Sequence, residues 1–143
     1  MRIVIDTEKR IAIEPVESAI TPHTPVFFNK SIVNVEIQFV NALGQPYAPD
    51  AVGGVVEFYL GRAADPVSSH LNLMHSGAPN YIYSIVLDTT ASNLDTDRYL
   101  GASVKKFSVN AVMEARHTYV GGGAITNLCL SPCRIINPVM GWS

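Results

Sequence analysis

Residues Val33-Asn34-Val35-Glu36-Ile37-Gln38-Phe39 alternate apolar and polar side chains without a break. Period two is the signature of an extended chain, because successive side chains of a strand leave its opposite faces. On a helix the same residues would scatter around the whole circumference, so this run is a half-buried strand. The pattern recurs. Val56, Phe58 and Leu60 face one way with Glu57 and Tyr59 opposite, and Tyr83, Ile85 and Leu87 share a face. Phe107, Val109, Ala111 and Met113 alternate with Ser108, Asn110, Val112 and Glu114. The expected core therefore contains Val35, Ile37, Phe39, Phe58, Tyr83, Ile85, Phe107 and Val109.

Turn chemistry separates these runs. Asn41 to Pro46 holds Gly44, free to take positive φ, and Gly53-Gly54 precedes the second run. Ser76-Gly77-Ala78-Pro79-Asn80 reads as a turn, and residues 70–75 as a short strand. Ala91 to Leu94 has room for one helical turn, and Gly121-Gly122-Gly123 is a further turn. Short strands over 124–130 and 134–136 close the chain; extended between them, Cys129 and Cys133 are beyond disulfide reach, and only a turn at Ser131-Pro132 would bring them nearer. Pro15, Pro22 and Pro25 exclude a helix ahead of the first strong strand, and no window of eleven residues shows a helical period. Eight or nine short strands with regular turns predict an all-β fold, an immunoglobulin-like β-sandwich.

The 143 residues fit one domain, with no linker or repeat to divide 1–143. Residues 1–14 stand slightly apart. Ile3 and Ile5 pair naturally with Ile11 and Ile13 across Thr7-Glu8-Lys9, as a hairpin or as an arm docking on a neighbouring chain. A lone two-stranded hairpin is marginal in water, so these isoleucines need a covering surface. Charged residues make up 15% of the chain, against about 25% in ordinary soluble domains. Interface cores are depleted of charge, so a charge-poor exterior favours assembly, here with further copies of the chain. A net charge of −2 and scattered lysines and arginines give no basic face for nucleic acid. The N-terminal residues Met1 to Asp6 lack the apolar core of a signal peptide, and no stretch matches a membrane helix.

Asn93-Leu94-Asp95-Thr96-Asp97 opens like a calcium loop, but Arg98 and Val104 stand where that loop needs Gly and Glu. The three glycines 121–123 lack the Lys-Ser/Thr pair of a phosphate loop. His23, His70, His75 and His117 never share ligand spacing on one element, and His117 with Cys129 and Cys133 gives three soft ligands where structural zinc uses four. Cys129 and Cys133 are read as reduced thiols. No nucleophile elbow is present, and Glu57, Asp88 or Glu114 are carboxylates that any β-protein offers. Tyr47, Tyr59, Tyr81, Tyr83, Tyr99 and Trp142 are candidates for a sugar-binding face, or for core edges and interfaces. No catalytic, cofactor or metal residue is assigned on this basis.

Val35-Glu36-Ile37-Gln38-Phe39-Val40-Asn41-Ala42-Leu43-Gly44-Gln45-Pro46-Tyr47, followed by Ala51-Val52-Gly53-Gly54-Val55-Val56-Glu57-Phe58-Tyr59-Leu60, resembles the opening of the N-terminal domains of phage upper baseplate and tail-fibre proteins. Tyr81 to Leu87 with Thr89-Thr90 is similar to the middle of such a domain, and the resemblance spans residues 26–137. It implies an immunoglobulin-like module that joins parts of a tail, commonly as a trimer. Asn29-Lys30-Ser31 replaces the Lys-Gly of many relatives, and the long receptor-binding region that usually follows is not in this sequence. The expectation is a non-enzymatic virion component, made in the host cytoplasm and assembled with itself and neighbouring virion proteins. A carbohydrate-binding sandwich is the alternative, and a hydrolase on a β-scaffold comes third.

Overall fold

The computed structural model describes residues 1–13, 24–28, 31–61, 71–72, 74–88, 108–119 and 124–136. They form eleven strands in two sheets: β1 Arg2–Asp6, β2 Ile11–Ile13, β3 Val26–Phe28, β4 Ile32–Val40, β5 Pro46–Tyr47, β6 Val55–Gly61, β7 Leu71–Asn72, β8 Met74–His75, β9 Tyr83–Asp88, β10 Ser108–Thr118 and β11 Ile125–Ile136. The division is finer than eight or nine strands because the chain adds very short edge strands. Helix among the described residues is limited to one 3₁₀ turn, Pro49–Val52.

The first sheet runs β2-β1-β4-β9-β8 with β5 beside β4, and the second runs β3-β11-β10-β6-β7. Taking β4 and β6 to β11 as strands B, C, C′, D, E, F and G of an immunoglobulin domain, the sheets read B-E-D and G-F-C-C′, an immunoglobulin-like strand order. No inter-sheet disulfide links them at the described cysteines, which are both free and both on β11. Where an antibody domain carries its cysteine pair on strands B and F, this chain buries Val35, Ile37 and Phe39 on one strand and Ala111, Met113 and Ala115 on the other, all in one core.

The alternation read from sequence becomes one core between the sheets. The first sheet sends in Ile3, Ile5, Val35, Ile37, Phe39, Tyr83, Ile85 and Leu87; the second sends in Phe27, Val56, Phe58, Leu60, Met113 and Ile135. Phe39 and Tyr83 meet edge to face, with centroids 5.2 Å apart. Of the expected core, Phe107 lies outside the described residues, and Val109 is placed by its backbone opposite Ile135.

Two expectations are corrected. The hairpin read in residues 1–14 forms, β1 pairing antiparallel with β2, but its four isoleucines do not stand apart from the sandwich. β1 lies parallel beside β4, with Ile3 opposite Ile37 and Ile5 opposite Phe39, so the domain itself covers Ile3 and Ile5. Ile11 and Ile13 join Val4 and Val40 in a small satellite cluster on the opposite face. The turn at Ser131-Pro132 is also absent: β11 runs unbroken from Ile125 to Ile136. Proline is tolerated there because alternate amides of β11 point away from β10. Leu130 donates to the Arg10 carbonyl (3.0 Å) and Arg134 to the Pro25 carbonyl (3.0 Å), so Pro132, between them, needs no donor for the β10 ladder. Cys129 and Cys133 therefore stay roughly 13 Å apart along one strand, beyond disulfide reach.

The sides of the sandwich are closed by short pieces. β2 is tied to β11 by that Leu130 bond and by the Ala12 amide donating to Ser131 Oγ (3.1 Å). On the other side the chain switches sheets between β7 and β8, each two residues long. Short, occupied edges suppress strand-to-strand association between molecules.

Candidate functional site

The outer face of the second sheet carries several interacting polar side chains and, beside them, a group of exposed apolar ones. Strand register fixes its layout. Across β6 and β10, Glu57 lies opposite Arg116 and Tyr59 opposite Glu114; across β10 and β11, Glu114 meets Leu130, Val112 meets Pro132 and Asn110 meets Arg134. β3 then adds Val26 beside Arg134 and Phe28 beside Ile136.

The β6–β10 half is polar and internally bonded. Tyr59 donates its hydroxyl to Glu57 Oε2 (2.6 Å), and Thr118 donates to Glu57 Oε1 (3.3 Å). Arg116 Nε bonds Glu114 Oε1, and its guanidinium lies 4.7 Å from the Tyr59 ring centroid, a cation–π contact. Burial, reinforced by the Glu57 carboxylate, pushes the Tyr59 phenol up to about 12. The phenol therefore keeps its proton at neutral pH and acts as a fixed donor. These contacts build a stiff polar ridge.

The β10–β11–β3 half is mixed, with apolar side chains around Asn110 and Arg134. Leu130 is 55% exposed and Phe28 52%, while Pro132 is exposed and Val26, Val112 and Ile136 are partly so. Arg134 sits among them. At the far end of β6 and β10, a buried histidine locks the loop that precedes β6. His117 is 2% exposed, and its Nε2 lies 2.7 Å from the Gly53 carbonyl, an oxygen that only accepts, so Nε2 carries the proton.

The residues singled out from sequence are distributed as follows. Glu57 and Glu114 come to the same face, each bonded to its own partners, while Asp88 belongs to β9 in the other sheet. Cys129 lies opposite Ala115 and Cys133 opposite Ala111, whereas His117 pairs with Thr126. The three potential soft ligands are thus strung along the strands. Burial pushes both thiols up to about 12. Among the described residues no three His, Cys, Asp or Glu side chains converge as a metal site, and no helix is long and apolar enough to cross a membrane. Tyr59 does face outward, but Tyr83 is core and donates to Asp50 Oδ1 (2.5 Å), and Tyr47 donates to Thr7 Oγ1 (2.9 Å) on the first sheet. Tyr47, Tyr59 and Tyr83 therefore do not share one platform. His23, His70, Tyr99, Trp142, the 93–97 segment and Gly121 to Gly123 lie outside the described residues. The apolar face went unread in the sequence. Its signal was the alternation of Leu130, Pro132, Arg134 and Ile136, hidden by the turn expected at Ser131-Pro132.

No family model matches the chain, and no curated protein matches it. Among solved structures it is similar to the N-terminal domain of phage TP901-1 ORF48, at 15% identity over 95% of each chain, with a TM-score of 0.45.

Proposed function

We propose that this protein is a non-enzymatic structural module of a phage tail or baseplate, a virion component that joins copies of itself and neighbouring proteins through its sheet faces. The observation that carries the reading is the cluster of exposed apolar side chains on the second sheet, with Leu130 and Phe28 each more than half exposed beside a polar ridge. Such a face costs solubility in a lone domain and is stabilised when a partner covers it. The charge fraction of 15% and the blunted edges fit a part that assembles by surface contact. The sequence pattern of residues 35–60 supplies the tail context. The carbohydrate alternative needs an open aromatic platform, and Tyr59 is instead stacked under Arg116.

The test is genetic. In the phage that encodes this chain, an in-frame deletion should yield particles with missing or malformed tails by electron microscopy, and complementation should restore them. Normal, infectious particles from the deletion would refute the reading. Saturable glycan-array binding lost on Tyr59→Ala would favour the carbohydrate alternative.

A further inference from the structure

We infer that residues 137–143, which follow β11 directly, fold back over the outer face of that strand and cover its apolar side chains, with Trp142 level with Pro132. The inference goes beyond the assembly reading: the covering belongs to the lone chain, and a neighbouring protein gains this face only by displacing the segment.

The register orders the face in rows about 7 Å apart along the strands. Leu130 and Glu114 form the first row, Pro132 and Val112 the second, Arg134, Asn110 and Val26 the third, and Ile136 with Phe28 the fourth. Its charges are already engaged. Glu114 holds Arg116, and Arg134 has a further interaction within the chain, as Phe28 has. What stays open, Leu130 above all, is apolar and is stabilised by apolar cover. The chain already meets this face at Phe28 and Arg134, so its own residues are the nearest source of that cover.

Two stretches outside the described residues reach the fourth row. Residues 89–107 lead into Ser108, which lies opposite Ile136, and residues 137–143 continue from Ile136 itself. The first stretch carries Asp95, Asp97, Arg98, Lys105 and Lys106, charges that water holds better than an apolar face does. The second, Asn137-Pro138-Val139-Met140-Gly141-Trp142-Ser143, has no charged side chain and holds the only tryptophan of the sequence.

Asn-Pro favours a turn, and here it falls at the end of β11, over the fourth row. In an extended chain beyond it, Pro138, Met140 and Trp142 leave the same side. Four steps of about 3.3 Å take Trp142 roughly 13 Å back from Pro138, and Pro132 likewise lies four residues before Ile136. Trp142 therefore lands on the second row, its indole within reach of Leu130, and Met140 lands on the third. A tryptophan buries about 150–250 Å² in such a contact, more apolar cover than any other side chain of the segment supplies.

Because Trp142 is the sole tryptophan, the indole emission of the full chain reports on this segment alone. At about 1 µM, acrylamide should quench native Trp142 at least about threefold less than in the urea-unfolded chain, with the native emission shifted to the blue. Leu130→Glu should raise the native quenching at least about twofold. Leu43→Glu, 81% exposed on the remote β4–β5 turn, should leave it unchanged. Leu130 lies on an outer face, so its variant should fold; if its melt shows otherwise, nuclear Overhauser contacts between the Trp142 indole and the Leu130 methyls of the native chain carry the test. Native quenching as strong as in the unfolded chain, quenching indifferent to Leu130→Glu, or absence of those contacts would overturn the inference. Shielding that appears only as the concentration rises towards about 300 µM would overturn it too, and would give the face to a second copy. Leu130-dependent shielding in a chain missing from virions would leave the covering intact and remove the tail role.

Discussion

Tyr83→Phe removes a hydroxyl that joins the two halves of the fold. Tyr83 enters the core from β9, is completely buried, and packs edge to face on Phe39 of β4. Its hydroxyl crosses to Asp50 Oδ1, 2.5 Å away, in the 3₁₀ turn that carries the chain from the first sheet to the second. Phenylalanine keeps the ring and its packing while deleting the bond. A hydrogen bond to a charged group contributes about 1.5–3 kcal/mol, and the half-buried Asp50 places this one near the lower bound, about 1.5–2 kcal/mol. Asp50 has further partners, so Asp50→Ala alone overstates the contact. A double-mutant cycle of Tyr83→Phe and Asp50→Ala, read by urea unfolding, should return a coupling of about 1.5 kcal/mol. The pH dependence has a definite sign. Burial first, and the Asp50 bond second, raise the Tyr83 phenol well above its ordinary value. A raised folded-state pKa stabilises below the unfolded value of about 10 and is lost as pH rises beyond it, so Tyr83→Phe should flatten the stability decline above pH ~10. Additive single effects, or a loss below about 0.5 kcal/mol, would refute the reasoning.

Other outcomes follow from the same packing. Phe58→Ala, at a side chain 1% exposed, should cost about 3–5 kcal/mol in chemical unfolding, and a loss under about 1 kcal/mol would mean that the inter-sheet core is misassigned. Gly44→Ala and Gly54→Ala both place a Cβ at positive φ, but at Gly54 it would also lie 2.2 Å from the Thr118 carbonyl oxygen, while at Gly44 nothing stands within 4 Å. Gly44→Ala should therefore cost about 1–2 kcal/mol and Gly54→Ala clearly more; equal costs would count against the His117–Gly53 closure. Cys129 and Cys133, pushed up to about 12 mainly by burial, stabilise the fold below pH ~9 and lose that contribution as pH rises towards 12. The C129A/C133A variant should lose up to about 2.7 kcal/mol per pH unit of the alkaline slope in that window, and an unchanged slope would mean the thiols are solvated.

The sandwich was legible wherever a strand has one wet face. Val35, Ile37 and Phe39, Phe58 and Leu60, and Tyr83, Ile85 and Leu87 all went where period two sends them. Non-local pairing was not legible. Nothing in Arg2 to Asp6 says that it lies parallel to Glu36 to Val40, because that choice is made by core contacts thirty residues away. Proline misled at position 132: its missing donor ends a strand only if a neighbour needs it, and here alternate β11 amides face away from β10. That error hid the apolar face. Tyr59 was placed outward correctly, but its stacking under Arg116 depends on β6–β10 register, which no local pattern carries.

The central proposal, that this sandwich is a structural part of a phage particle, is tested most directly by quantitative mass spectrometry of density-purified particles produced from the genome that carries its gene. The account predicts the chain in a fixed copy number per particle, retained through high-salt washing and recovered with tails when heads are removed. A chain abundant in the infected lysate but absent from purified particles and tails would contradict it.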